Sequence, residues 1–208
     1  MDGILAGNAA HISGRVLSGP VFNHKTHGEA FYMMVIGIFR KSGYEDKIRL
    51  IVSERILGGR SPRVGELLDV QGQVRTYNRE EDGRSRLEVT VFVRSMEYGH
   101  EDDFIYDNEI SIEGFICKEP VRRTSPLGRE ICDLMIAVNR MYNKSDYIPS
   151  IAWGRNAEYA GALRVGDRVS ASGRIQSRDY RKFTDEGYLV TRTAYEVSVG
   201  RIERVREE

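Results

Sequence analysis

Between Arg168 and Gln176 the chain alternates without a break. Val169, Ala171, Gly173 and Ile175 fall on one face, and Arg168, Ser170, Ser172, Arg174 and Gln176 on the other. A period of two predicts a β-strand with one buried side. The turn Val165-Gly166-Asp167 launches this strand, and residues 156–163 ahead of it have the length of about two helical turns. Before the helix lies a short apolar run, Ser150-Ile151-Ala152-Trp153, and after the strand come Arg178, Tyr180, Arg181 and Lys182. A short helix between two strands predicts a small closed β-barrel rather than a crossover fold.

The same pattern places the other strands of the second half at 109–115, 130–140, 147–153 and 188–202. Residues 122–128 read as a basic turn, 141–146 as a loop and 183–187 as a hairpin tip. In the first half, strands are predicted at 8–17, 29–40, 46–53, 67–77 and 87–96. Gly19-Pro20 is expected to interrupt the first of them, Phe22 to cover an open barrel end, and 78–85 to form a charged hairpin tip. Residues 58–62, Gly-Gly-Arg-Ser-Pro, predict an irregular connection in place of the helix.

The two halves are an internal repeat. Asn8 and Gly14 correspond to Asn108 and Gly114, Pro20 to Pro120, and Gly28 to Gly128. The run 34–40 matches 134–140. Val64-Gly65-Glu66 matches Val165-Gly166-Asp167 after one extra residue, 72–76 matches 173–177, and 88–91 is aligned with 196–199. Five strands with a helix between the third and fourth is the plan of the OB-fold, a five-stranded Greek-key barrel. The chain is therefore predicted to be all-β, with two tandem OB-folds at 1–100 and 101–208. The second carries a short helix between its strands 3 and 4, and the junction at 99–103 is polar and acidic.

Composition narrows the function. The 208 residues hold 31 basic and 31 acidic side chains, so the chain is not a strongly basic nucleic-acid protein, although a local groove is allowed. Cys117 and Cys132 make no disulfide framework and are expected to stay reduced inside the cell. No apolar run approaches a membrane span, and Met1-Asp2-Gly3 opens no signal peptide, so the cytoplasm is expected. No GxxxxGK[ST] motif is present, and His11, His24, His27 and His100 form no metal spacing with the cysteines. No cofactor, metal or catalytic carboxylate pair is expected, and the chain does not read as an enzyme.

The second half resembles the bacterial single-stranded DNA-binding protein family. The resemblance rests on Asn108, Gly114, Pro120, Gly128, the run 134–140, Trp153-Gly154-Arg155-Asn156-Ala157-Glu158, 163–167, 173–178 and Glu196-Val197. It implies OB domains that assemble as tetramers, or as dimers where one chain holds two. It also implies binding and protection of single strands, without sequence preference, in replication, recombination and repair. A homodimer presenting four OB domains near the nucleoid is the corresponding expectation. The family's base-stacking positions fall on Tyr142, Tyr147, Trp153 and Tyr180. A ring can stack on any base, and cations can neutralise phosphates. Arg122, Arg123, Arg129, Arg140, Lys144, Arg155, Arg174, Arg178, Arg181 and Lys182 are the candidates for that role.

The first half departs from this pattern, with Ser42, Lys47 and Ser53 at three of the aromatic positions and Arg79 near the fourth. Tyr44 and Tyr77 lie close enough in sequence to substitute. Positions 1–107 carry 14 basic and 16 acidic residues, against 17 and 15 in 108–208, so the second copy is expected to bind and the first to supply assembly surface or a weaker groove. Glu207-Glu208 is too little for the acidic tip with which many family members recruit repair proteins. The alternative reading is an OB-fold assembly, adaptor or primosome accessory protein with weak nucleic-acid binding.

Overall fold

The computed structural model describes residues 7–81, 83–125, 127–184 and 187–205. The expectations at Met1-Asp2-Gly3 and Glu207-Glu208, and part of those at 122–128 and 183–187, lie outside the described residues. The first barrel is built from β1 (Asn8–Thr26), β2 (Glu29–Phe39), β3 (Glu45–Ser53), β4 (Leu67–Glu81) and β5 (Arg84–Tyr98), with α1 (Glu54–Leu57) after β3. The second contains β6 (Asp107–Ile116), β7 (Val121–Thr124), β8 (Glu130–Arg140), β9 (Lys144–Trp153), α2 (Arg155–Ala160), β10 (Arg168–Phe183) and β11 (Leu189–Arg204).

Each barrel closes on itself. In the first, β1 pairs with both β2 and β4, and β3 meets β5 in parallel. In the second, β6 pairs with β8 and β10, and β9 meets β11 in parallel. Alternation drives this closure: Ile12, Val16, Ile110 and Ile112 point inward and are essentially fully buried. Burial of each such side chain contributes about 1.5–3 kcal/mol. The apolar rows of β1 and β6 thus fill the barrels rather than facing outward for a partner to cover.

Several local expectations change; residues 122–124, read as part of a turn, pair with β8 as β7. β1 does not stop at Gly19-Pro20; it runs through them with register shifts on either side, and Pro20 sits in that bulged stretch where no ladder donor is needed. Phe22 covers no barrel end; it is exposed and meets Tyr32 edge to face. A one-turn helix, α1, does follow β3 in the first copy, because Ser53 accepts from the Ile56 amide as N-cap and Gly58 ends the turn in left-handed geometry. The β4–β5 hairpin keeps its ladder out to Glu81 and Arg84. The pairing also corrects the last repeat match. Thr90 lies opposite Arg75 and Glu196 opposite Gln176, so Thr90, not Glu88, is the counterpart of Glu196. A shift of two leaves a strand's alternation unchanged, which hides it from sequence.

The barrels join through antiparallel pairing of β1 with β6. Asn8 faces Ile112, Ala10 faces Ile110 and Ile12 faces Asn108, so a local pseudo-twofold passes between Ala10 and Ile110. Two further contacts repeat across it. Asp146 accepts from the Thr76 amide at 2.7 Å and the Arg75 guanidinium at 2.8 Å, while the Thr76 hydroxyl accepts from the Tyr147 amide at 2.8 Å. Reciprocally, Asp46 accepts from the Ser177 amide at 2.7 Å, and the Ser177 hydroxyl accepts from the Lys47 amide at 3.0 Å. Arg40 and Arg140 flank the two carboxylates, which are buried. Replacing Asp146 with Ala would strand two guanidiniums and an amide. It is expected to destabilise the chain by about 3–5 kcal/mol, read as a lower urea midpoint. A loss below about 1 kcal/mol would show that this lock does not hold the barrels.

His11 adds a titratable clasp at the same seam. Its Nε2 lies 2.9 Å from Asp69 and its Nδ1 3.0 Å from Asp107 of β6. Burial lowers the imidazole pKa, but the hydrogen bond and charge of Asp69, followed by those of Asp107, outweigh it, and the net direction is upward. A raised pKa means that the contribution is complete below the unfolded value of about 6.5 and fades as pH rises through the folded one. The stability lost in His11→Gln is therefore expected to be larger near pH 5.5 than near pH 8. Equal losses in urea titrations at the two pH values would exclude an imidazolium clasp.

Candidate nucleic-acid interface

The register of β8 with β9 sets the rings of the second barrel. Ile131 faces Trp153 and Ala137 faces Tyr147, which puts both rings on the outward side, while Cys132 and Ala152 between them are buried. Trp153 ends β9 and is half-buried; Tyr147 is 50% exposed. Tyr142 occupies the β8–β9 turn with φ of 62° and is 87% exposed. Tyr180 lies on the outer part of β10, with the Arg178 guanidinium 5.9 Å from its ring.

One cleft of about 670 Å³ gathers part of the predicted set. Trp153, Arg129 and Arg174 line it, beside Gln176 and Ser198. Tyr142, Tyr147 and Tyr180 do not line it; they stand elsewhere on the surface of the second barrel. Among the predicted cations, Arg140 is committed to Asp146, Arg123 to Asp133 and Arg122 to Glu130. Lys144, Arg155, Arg178, Arg181 and Lys182 are exposed. Of these, Arg178, Arg181 and Lys182 extend along the projecting β10–β11 hairpin with Tyr180.

The other wall of the cleft comes from the first barrel: Phe39, Arg40, Lys41 and Ser42 at the end of β2, joined by Tyr106 from the connection. Sequence reading missed Phe39, Lys41 and Tyr106. No local signal marks them, because their relation to Trp153 exists only once β1 has paired with β6. The carboxylates in the cleft are answered internally. Asp46 is paired with Arg40 and lies 3.6 Å from Arg174, and Asp107 lies against His11. Burial, and then the charge of Arg40, pulls the Arg174 pKa down. Arg129 and Lys41 have no ion-pair partner among the described residues.

The first barrel differs at the equivalent place for a structural reason. Ser53 holds the position of Trp153, and its hydroxyl caps α1; α2 starts one residue later, after Gly154, with no side-chain cap. Rings sit one strand over instead, where Phe31 is stacked on His24 at 4.9 Å and tilted on Phe92 at 5.7 Å. Tyr44 lies under the Arg40 guanidinium, 4.6 Å from it, and Tyr77 is partly exposed.

A pair of closed barrels of five long strands each, the second with the short β7 added beside β8 and with rings and arginines on its outer face, defines a tandem OB-fold protein with the kind of surface that meets nucleic acid. Residues 107–205, the second barrel, match the profile of the Single-strand binding protein family. The "Single-stranded DNA-binding protein" of Thermus aquaticus is 26% identical over 177 residues, 73% of this chain and 67% of that protein. "Single-stranded DNA-binding protein A" of Bacillus subtilis is 30% identical over 91 residues, 40% of this chain and 53% of that protein. The chain thus spans about half to two thirds of the length of these relatives. The crystal structure of the wild-type Thermus aquaticus protein superposes with a TM-score of 0.76 at 22% identity, covering 97% of this chain and 94% of that one, and so shares the two-barrel fold.

The left-handed backbone at Tyr142 costs about 1–2 kcal/mol for a residue with a β-carbon. Tyr142→Gly is therefore expected to hold or raise stability by about 1 kcal/mol while removing an 87% exposed ring. Thermal melts give the answer, and a clear loss of stability would mean that the ring has a structural partner.

Proposed function

We propose that this chain binds single-stranded DNA without sequence preference and shields it during replication, recombination and repair. The observation that carries this reading is the grouping of Trp153, Arg129 and Arg174 in one cleft of the barrel that matches the family. A flat ring stacks on the face of any base, which a duplex keeps covered, and cations on the wall of the cleft take up phosphates. Tyr142, Tyr147 and Tyr180, with the cations of the β10–β11 hairpin, extend the track over the second barrel. This division of labour leaves the first barrel, 1–100, as the weaker binder and an assembly surface for the binding domain, 101–208.

The reading includes no catalysis, a cytoplasmic site of action at the nucleoid, and a homodimer that presents four OB domains. Among the described residues no helix is long and apolar enough to cross a membrane, and no cluster of three or more His, Cys, Asp or Glu is placed to hold a metal ion. Dimer contacts would use the outward row of β1 and β6, including Ala9, His11 and Ser111, since the isoleucines of these strands face inward.

Titration with fluorescent oligo-dT and with duplex of equal length tests the proposal. Preference for the single strand and weakening as salt rises are expected. Replacing both Trp153 and Tyr180 with Ala is expected to weaken every sequence similarly, by about 1–3 kcal/mol per lost stack. Equal affinity for duplex, or no binding at low salt, would sink the reading. Partners that stay bound after nuclease treatment, together with no single-strand binding, would favour an adaptor instead.

A further inference from the structure

We infer that the β2–β3 turn of the first barrel completes the base-stacking groove of the second, with Phe39 stacking a base and Lys41 holding a phosphate of the same strand that lies on Trp153. This rests on the single-strand binding proposed above. Phe39 closes the β2–β3 ladder opposite Glu45 and is 58% exposed. An exposed phenyl ring and a half-buried indole on the walls of one cleft, also lined by Tyr106, offer several aromatic faces to one ligand.

The turn is held where it is. Arg40, between Phe39 and Lys41, donates to Asp46 and to the Ser177 carbonyl of β10 at 3.1 Å, and the Lys47 amide donates to the Ser177 hydroxyl. Phe39 and Lys41 are thus anchored to the second barrel by their neighbours, and their own side chains are left to the cleft. The cations there without an ion-pair partner among the described residues, Lys41 and Arg129, come one from each barrel. Flat faces combined with such cations select unstacked bases on a phosphodiester backbone.

The pseudo-twofold supplies a built-in comparison. It relates this cleft to another of about 460 Å³, lined by Asn139, Arg140, Gln73 and Arg75. There Asn139 replaces Phe39 and Gln73 replaces Arg174; the ring on that wall is Phe115 of β6, and Tyr142 of the copy-two turn does not line the cleft. The two clefts therefore differ at this position: the first barrel lends a ring, Phe39, where the second lends Asn139.

The test uses the full chain and a dT oligonucleotide of about ten nucleotides, the span of a single OB domain. Trp153 is the only tryptophan, so Phe39→Trp combined with Trp153→Phe makes position 39 the sole reporter. Its emission is expected to be quenched on binding. Phe39→Ala is expected to weaken binding about tenfold. Lys41→Ala is expected to lower the slope of log affinity against log salt by about 0.7. Asn139→Ala is expected to leave both unchanged. Thermal melts confirm that each variant is folded, which the exposure of these side chains favours. If wild type binds but emission at position 39 does not move and Phe39→Ala binds like wild type, the inference is overturned and the proposed function stands. Equal weakening by Phe39→Ala and Asn139→Ala would overturn it too. Failure of wild type to bind the oligonucleotide would overturn both.

Discussion

Two buried carboxylates, Asp46 and Asp146, decide how the barrels of this chain sit against each other. A carboxylate out of water costs several kcal/mol unless it is fully answered. Each is answered partly from within its own barrel, by Arg40 or Arg140, and partly from the other, by the Ser177 or Thr76 amide. Neither barrel can satisfy its own aspartate completely. The β1–β6 ladder brings the barrels together, and the aspartates allow few ways of doing so.

The lock is reciprocal, but the surface that it builds is not. The same geometry forms two related clefts, and the residues facing each have diverged. One received Phe39, Lys41, Arg129, Trp153 and Arg174; the other holds Asn139, Gln73 and Arg75. Ser53 shows how such divergence is constrained locally. Its hydroxyl caps α1, a task that an indole cannot perform, while α2 begins one residue later and leaves Trp153 free of it. The glycines at the strand bulges did not diverge. A β-carbon on Gly72 or Gly173 would run into the carbonyl of the neighbouring strand, Phe92 or Ser198.

Much of this protein was legible from its residues. Alternation along a strand reports which side is buried whatever the rest of the chain does, so strand identity, the order of elements and the twofold repeat followed from Arg168 to Gln176 and its counterparts. β8 begins and ends where the pattern placed it, at Glu130 and Arg140. Features that depend on a single hydrogen bond or on register were less legible. The true partner of Glu196 leaves the period-two pattern intact, the cap at Ser53 lies at its end, and the register shifts around Pro20 interrupt it without ending the strand, so the pattern could not report them.

By itself the sequence determined the class of fold, the presence of two copies and the rings of the second copy that could face a base. Those are local properties, written in residue type and spacing. Only the tertiary structure decided that Trp153 shares a cleft with Phe39 and Lys41 while Tyr142, Tyr147 and Tyr180 stand apart from it. It also decided that Arg140 serves Asp146 while Arg129 has no ion-pair partner among the described residues. The physical reason is that these relations arise between segments about a hundred residues apart, joined by a ladder and two buried charges whose partners no local pattern names.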